Sequence, residues 1–202
     1  MKTARLHPTA LSGAGRALWL MLACTLATML AMPREAGAQT AQQAVEISRQ
    51  VKAAYLFKFT SYVEWPSGTF ADANSPLIIG VIGEDALADE LGQVVASRTV
   101  NGRALTVRKV RRGDESLNGI HMLFVGRQEK NRLTEMLAGL KGRPILTVTD
   151  VDEALAQGSM INFVVTGDRL RFEVALSTAE VSRIKISALM LAAAYKVVKE
   201  PS

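Results

Sequence analysis

Residues 77–83 have the sequence LIIGVIG, a short apolar run that ends in a glycine. This run predicts a buried strand, because it is too short for a helix and turn-forming residues flank it. Gly83 then turns the chain into a helical pattern from about Asp85 to Ala96. A buried strand that leads directly into a helix is typical of an α/β protein.

The same alternation continues towards the C terminus. Further strands are predicted at Leu105–Val107, Ile120–Val125, Ile145–Val148, Met160–Val165 and Leu170–Leu176. Helical patterns are predicted at Gln128–Leu140 and, for one or two turns, at Asp152–Gln157. The last two strands are joined through Gly167 and Asp168, a hairpin signal. We therefore predict an α/β fold: a single layered domain with a mixed β-sheet flanked by helices.

Helices are predicted at both ends of this alternation. A long helix is indicated upstream by apolar residues at near-helical spacing: Ile47, Val51, Tyr55, Phe59 and Tyr62. It ends at Trp65, since a residue before proline is driven out of the helical region. Downstream, Ser177 and Glu180 have the spacing of a capping box. They predict a last helix after the hairpin, with Ile186–Val198 as its apolar continuation into the core.

The first 38 residues have the pattern of a secretory signal peptide. Basic Lys2, Arg5 and Arg16 precede the apolar run Ala17–Met32, and residues 36–38 (AGA) fit a signal peptidase site. The run is shorter than the ~20 residues that span a bilayer. An uncleaved anchor is the alternative. We predict cleavage after residue 38, an α/β domain over residues 39–202 and a periplasmic location.

Composition changes once this leader is removed. The whole chain has 24 Lys and Arg, 19 Asp and Glu and a net charge of +5. Residues 39–202 retain 20 cations and 18 anions, a net charge of +2. A general nucleic-acid function therefore loses its support. The single cysteine, Cys24, leaves with the leader, so the mature chain can form no disulfide and has no thiol nucleophile.

Motifs that carry catalysis are absent from the sequence. It contains no G-x-S-x-G elbow, no phosphate-binding loop and no H-E-x-x-H pair. His121, the only histidine after residue 38, lies in a strand pattern and is interpreted as structural. Asp150, Asp152 and Glu153 follow a strand where α/β folds often place ligands. A solvated capping loop explains them equally well, and we predict no metal and no cofactor.

Two charged patterns remain. One is a run of five cations, Arg103, Arg108, Lys109, Arg111 and Arg112. We interpret it as a solvated strand edge, with an anionic lipid or acidic partner as the alternative. The other is the polar side of the strand that contains Glu173. That carboxylate could pair with Lys185 and help to form a small polar pocket.

One segment is more distinctive than its periodicity. Residues 52–66 include KAAYLFKF and VEWP, which resemble the opening signature of the YfiR family of periplasmic proteins. The resemblance continues in order through IGVIG (79–83), VNGR (100–103), HMLFV (121–125), ILTVTD (145–150), GSMINF (158–163), FEV (172–174) and KIS (185–187). It therefore covers nearly the whole chain after the leader.

The resemblance implies a regulatory function and no enzymatic one. The family's founding type binds the periplasmic sensor domain of an inner-membrane diguanylate cyclase, YfiN, and holds it inactive, which lowers cyclic-di-GMP and biofilm formation. A YfiB-like lipoprotein or outer-membrane protein can sequester the repressor. The predicted contact or pocket residues are Trp65, Glu173, Lys185 and Ser187. Alternatives are a periplasmic small-molecule sensor without a cyclase partner and a hydrolase that uses Asp150 and Asp152.

Three segments depart from what the resemblance leads us to expect. Ile120 stands where relatives have a cysteine before the histidine, so redox control through disulfides is not expected here. Ala175 stands where an asparagine often follows Phe-Glu-Val. Arg183 and Ile184 stand where relatives tend to have a glycine and an apolar residue. A homodimer is plausible from the exposed strands and long apolar helices.

Overall fold

The computed structural model describes residues 35–114 and 117–199, with side chains from residue 42 onwards. The chain divides into two compact units, Met1–Gln43 and Ala44–Ser202. In the first unit, the described residues 35–43 are helical. The second unit carries the strands and the cores described below. Within the described residues, no helix is long and apolar enough to cross a bilayer.

Helices and strands alternate along most of the described chain. The helices are α1 (Glu35–Ser61), α2 (Asp85–Val95), α3 (Leu133–Leu140), α4 (Leu176–Val181) and α5 (Ala188–Ala193), with a 3₁₀ helix (Arg127–Arg132) before α3. The first five strands are β1 (Val63–Glu64), β2 (Leu77–Ile82), β3 (Thr99–Val100), β4 (Arg103–Lys109) and β5 (Met122–Val125). The others are β6 (Leu146–Thr149), β7 (Ile161–Thr166), β8 (Arg169–Ala175), β9 (Lys185–Ile186) and β10 (Lys196–Val198).

The described strands form two sheets. The large sheet has eight strands in the order β10-β8-β7-β6-β5-β2-β4-β3, and the small one pairs β1 with β9. Neighbours from β4 through β2, β5, β6 and β7 are parallel, whereas β7 and β8 form the antiparallel hairpin. The predicted α/β class, the mixed sheet, the long N-terminal helix and the hairpin are therefore confirmed.

The central strands are buried on both faces because helices cover each face. Met122 and Phe124 of β5 belong to a core with α1 and α2, whereas Leu123 and Val125 belong to a second core with α3. All four side chains are fully buried. Strands covered in this way need apolar residues at every position, which explains the continuous apolar runs in the sequence. Each such side chain stabilises the fold by about 1.5–3 kcal/mol.

An aromatic cluster joins α1 to the hairpin. The ring of Phe59 packs edge-on against Phe172 at a centroid distance of 5.0 Å and stacks on Phe163 at 5.9 Å. Tyr55, one helical turn earlier, contacts the same two rings, with centroid distances of 5.9 Å to Phe163 and 5.6 Å to Phe172. Aromatic pairs at these distances stabilise beyond their area burial. Of the five predicted apolar positions of this helix, Tyr55 and Phe59 therefore pack on the sheet, whereas Ile47, Val51 and Tyr62 are exposed.

The predicted last helix is correct over Ala188–Ala193, which forms α5, and wrong over the rest of Ile186–Val198. Ile186 ends β9, and Lys196–Val198 form β10. Ser187 caps α5, because its hydroxyl accepts a hydrogen bond from the Met190 N–H at 3.2 Å. The following residues 196–198 add a parallel strand to β8. Tertiary pairing thus overrides the helical interpretation of an apolar run that is rich in β-branched residues at its end.

Smaller differences occur at helix starts. The predicted capping box is not formed, because α4 begins at Leu176 and its N-cap, Ala175, offers no side-chain hydrogen bond. The helix predicted from Gln128 begins as the 3₁₀ helix before α3. Residues 152–157 form consecutive turns instead of a helix.

Arg183 connects α4 to β9 in a left-handed conformation, with φ at 57°. Its N–H donates to the Glu180 carbonyl at 2.8 Å, which closes the end of the helix. The left-handed conformation destabilises a residue with a Cβ by roughly 1–2 kcal/mol, whereas glycine adopts it without this cost. This conformation gives a physical reason for the glycine that the family resemblance leads us to expect here.

Arg183→Gly is therefore expected to raise the free energy of unfolding by about 1 kcal/mol. Urea unfolding followed by circular dichroism measures the change. Glu180→Gly is the matched control: this exposed residue lies in α4. Its replacement should lower stability by about 1 kcal/mol. Equal losses for both variants would contradict the proposed strain at Arg183.

Candidate functional site

The small sheet brings three of the four predicted site residues together. In β1 and β9, Glu64 lies opposite Lys185. Trp65 follows Glu64 directly, and the Ser187 N–H donates to the Tyr62 carbonyl at 2.9 Å. Trp65, Lys185 and Ser187 therefore share one region at the end of α1. Lys185 is exposed, and Trp65 and Ser187 are half-buried.

Glu173 lies elsewhere. It occupies β8, where its register partner is Lys196 of β10. The predicted pairing of Glu173 with Lys185 is wrong, because the two residues belong to different sheets, and no ion pair joins them in the described part of the chain. The role of the four residues in binding a partner or a ligand stays a prediction.

Trp65 forms part of a stack of rings beside the start of β5. Its indole Nε1 donates to the His121 carbonyl at 3.0 Å, and its ring meets Phe70 edge-on at 6.2 Å. Phe70 stacks on the His121 imidazole at 4.3 Å, and the Arg103 guanidinium lies over Phe70 at 4.0 Å. We call Trp65, Phe70, Arg103 and His121 the histidine stack. The indole thus has a structural contact in addition to any binding role.

His121 is held by its neighbours at both backbone and side chain. Its Nδ1 accepts a hydrogen bond from the Ile78 N–H at 3.0 Å, and only 5% of the residue is exposed. Burial lowers the pKa of the imidazole, and the charge of Arg103 lowers this pKa further. The neutral form is the one that accepts from Ile78. His121 therefore has structural contacts, as interpreted, but it lies just before β5 and not inside the strand.

Much of the basic run is used inside the fold. Arg103 donates to three backbone carbonyls of the loop at residues 72–75. Lys109 pairs with Asp89 at 2.7 Å, and Arg112 pairs with Glu129 at 2.7 Å. β3 covers only the first two residues of β4, so the rest of this edge bears charged side chains. The interpretation as a charged strand edge accounts for these observations.

A charged cluster lies at the carboxyl ends of the parallel strands. Lys52 of α1 donates to Asp150, after β6, at 2.6 Å and to Glu84, after β2, at 3.1 Å. Arg127, after β5, lies 3.8 Å from the same Asp150 carboxylate and donates to its backbone carbonyl at 2.7 Å. Asp150 is 5% exposed. We call these four residues the carboxyl-end cluster.

This cluster stands where open α/β sheets bind ligands, because the chain reverses its direction of strand addition between β2 and β5. The two turns there are in contact: a Cβ on Gly126 would lie 2.8 Å from the Gly83 carbonyl oxygen. The side chains of the carboxyl-end cluster therefore fill the position where a ligand would bind. Asp150 is paired and Asp152 is exposed, and the described residues contain no group of three metal-ligating side chains.

The sequence identified Asp150 but not its partner. Lys52 lies 98 residues away in the chain. A usable signal was present, since Lys52 opens the KAAYLFKF segment that carries the family resemblance. A lysine next to an apolar helix face is a candidate for an ion pair, because buried lysines are almost always paired.

An exposed apolar groove lies between α1 and the β7–β8 hairpin. Its volume is about 790 Å³. The apolar residues that line it include Ile47, Val51 and Tyr55 of α1 and Val165 and Leu170 of the hairpin. Ile47 is 53% exposed and Val165 is 65% exposed. We call it the hairpin groove; large exposed apolar patches of this kind mark interaction sites.

These observations define a mixed α/β protein whose own ion pairs fill the usual ligand position and whose apolar surface is open at one hairpin. The chain belongs to the YfiR/HmsC-like family: the DUF4154 family model matches residues 49–195. The predicted family is confirmed. No curated protein matches the sequence significantly.

Lys52→Met is expected to lower the free energy of unfolding by about 3 kcal/mol, the low end for breaking a buried ion pair, because the Asp150 carboxylate loses Lys52 and keeps only Arg127 at 3.8 Å. Chemical denaturation measures the loss. Lys58→Met, at an exposed lysine of the same helix, is the control and should change stability by under about 1 kcal/mol. A loss as small as that of the control would show that the ion pair contributes little.

Stability should fall as the pH drops below about 6.5. The pKa of His121 is lowered in the folded state from 6.5, so below this pH the unfolded chain binds a proton that the folded chain excludes. The contribution is complete above pH 6.5 and is lost as the pH falls. Urea unfolding is measured at several pH values between 5 and 7. The free energy of unfolding should fall more steeply with decreasing pH for the wild type than for His121→Asn. Identical slopes would exclude this role.

Proposed function

We propose that this protein is a periplasmic regulator that binds and represses the periplasmic sensor domain of an inner-membrane diguanylate cyclase. The observation that carries the proposal is membership of the YfiR/HmsC-like family across residues 49–195. Repression would lower cyclic-di-GMP and biofilm formation. Such a regulator acts by binding the inactive state of its target more tightly than the active state. The proposal includes no catalytic step.

The hairpin groove supports a protein partner. It combines exposed apolar side chains with the cations Arg169 and Arg171 at its rim. Interfaces concentrate their binding energy in buried apolar anchors surrounded by polar residues. We propose that the cyclase sensor domain contributes an apolar segment to this groove. A sequestering YfiB-like partner would compete for the regulator, and self-association would be a further use of its exposed surface.

The predicted contact residues form a second proposed region. Replacement of Lys185 tests partner binding most directly, since this residue is exposed and lies opposite Glu64. Glu173 is half-buried beside β10. Trp65 and Ser187 have structural hydrogen bonds, so their replacement would change stability together with binding. We propose Lys185 and Glu173 as the positions where binding can be tested separately from folding.

Export is part of the proposal. Residues 1–38 are proposed to direct the chain through the inner membrane and to be removed there, which leaves residues 39–202 in the periplasm. A version that lacks residues 2–38 would remain in the cytoplasm. The regulator would then be separated from a sensor domain on the other side of the membrane.

Deletion of the gene is expected to raise intracellular cyclic-di-GMP, because the cyclase loses its repressor. Mass spectrometry of nucleotide extracts measures the change. The exported protein should restore the lower level, and the leaderless version should not. No rise on deletion under several growth conditions, or full restoration by the leaderless version, would contradict periplasmic repression.

Charged substitutions in the hairpin groove refine this experiment. Ile47→Asp and Val165→Asp should weaken binding of the sensor domain by about thirtyfold or more, the loss typical of an interface anchor. Both residues are exposed, so folding should be retained. Leu189→Asp, at a residue that is 65% exposed in α5, is the matched control. Repression that survives both groove variants while Lys185→Glu abolishes it would place the contact at β9.

A further inference from the structure

A second concave site lies on the other face of the large sheet from α1. It is enclosed by α3, the loop at residues 151–158 and α4, and it has a volume of about 430 Å³. We call it the α3–α4 cavity. Thr147 and Met160 line it from the sheet, and Leu137 and Leu140 line it from α3. Its volume falls within the range of roughly 300–1,000 Å³ that small-molecule sites occupy.

Two buried hydroxyls in this cavity have unused hydrogen-bonding capacity. Ser182 is 1% exposed, and its hydroxyl has no hydrogen bond to any described residue. Thr147 is also 1% exposed; its Oγ1 accepts from the Met160 N–H at 3.0 Å, and within the described chain its proton has no acceptor. Both hydroxyls line the cavity, so each can donate a hydrogen bond to a ligand there.

The charged residues that line the cavity restrict the chemical class of ligand that it can bind. Lys141, which is exposed at the end of α3, is the one charged residue among those that line the cavity. The lining contains no carboxylate to receive an ammonium group. The lining also carries the polar side chains of Thr134, Gln157, Ser177 and Thr178, and Leu137, Leu140 and Met160 form its apolar wall. One cation, several hydroxyl donors, no carboxylate and an apolar wall fit a ligand with one carboxylate on an apolar body.

We propose that the α3–α4 cavity binds a small apolar monocarboxylate. The apolar body lies against Leu137, Leu140 and Met160. The carboxylate accepts hydrogen bonds from the buried hydroxyls or pairs with Lys141 at the mouth, depending on the length of the ligand. Site and ligand class do not depend on a cyclase partner, since every group that the proposal uses belongs to this chain.

The test uses a matched series of probes on the purified chain: 3-phenylpropionate, 3-phenylpropionamide and 3-phenylpropylamine. Isothermal titration calorimetry should give saturable binding of the carboxylate, with the amide and the amine at least about tenfold weaker. Absence of saturable binding by the carboxylate, or equal binding of all three probes, would overturn the proposal.

Variants then locate the site. Ala138→Trp fills the mouth from the exposed side of α3 and should abolish binding, whereas Lys141→Met should weaken it about tenfold. Ser182→Ala should weaken binding severalfold while the fold is retained, because the hydroxyl has no internal partner to lose. Lys130→Met, an exposed cation outside the cavity, is the control and should bind as the wild type. Unchanged binding by Ala138→Trp would place the probe elsewhere and overturn the assignment.

Discussion

The buried ion pair between Lys52 and Asp150 is the interaction on which the layered arrangement depends. It ties α1 to the carboxyl ends of the parallel strands, where Glu84 and Arg127 complete the cluster. Without it, the helix would still cover apolar rings, but the buried Asp150 carboxylate would keep only Arg127, at 3.8 Å, as a counter-charge. The same pair occupies the position that many α/β proteins reserve for a ligand. The Lys52–Asp150 pair therefore both stabilises the fold and fills the position where a ligand would otherwise bind.

The sequence predicted those parts of the fold whose patterns are local. Continuous apolar runs identified β2, β5 and β6, because burial on both faces produces such runs. Helical spacing identified α1, although Ile47, Val51 and Tyr62 of that pattern are exposed. The prediction of one continuous last helix failed at its end. Ile186–Val198 is apolar enough for a helix, yet residues 196–198 form a strand beside β8. Glu173 and Lys185 were paired by proximity in the chain, but strand order separates them. Lys52 and Asp150 could not be paired by spacing at all.

The surfaces that are open to other molecules lie apart from the interactions that hold the fold. The hairpin groove borders α1, whereas the α3–α4 cavity lies on the opposite face of the sheet. The carboxyl-end cluster and the histidine stack mark the two ends of the central strands and are occupied by internal contacts. A partner in the groove and a small ligand in the cavity would therefore not compete for the same residues, and communication between them would have to pass through the sheet.

The position of Trp65 has a consequence for spectroscopy. After the predicted cleavage, it is the only tryptophan in the chain, so all indole fluorescence comes from one place. Its N–H is bound to the His121 carbonyl, and its ring lies against Phe70. The emission maximum of the protein is therefore a local gauge of the loop that covers the start of β5. It reports water entering that loop, while the opposite end of the sheet stays optically silent.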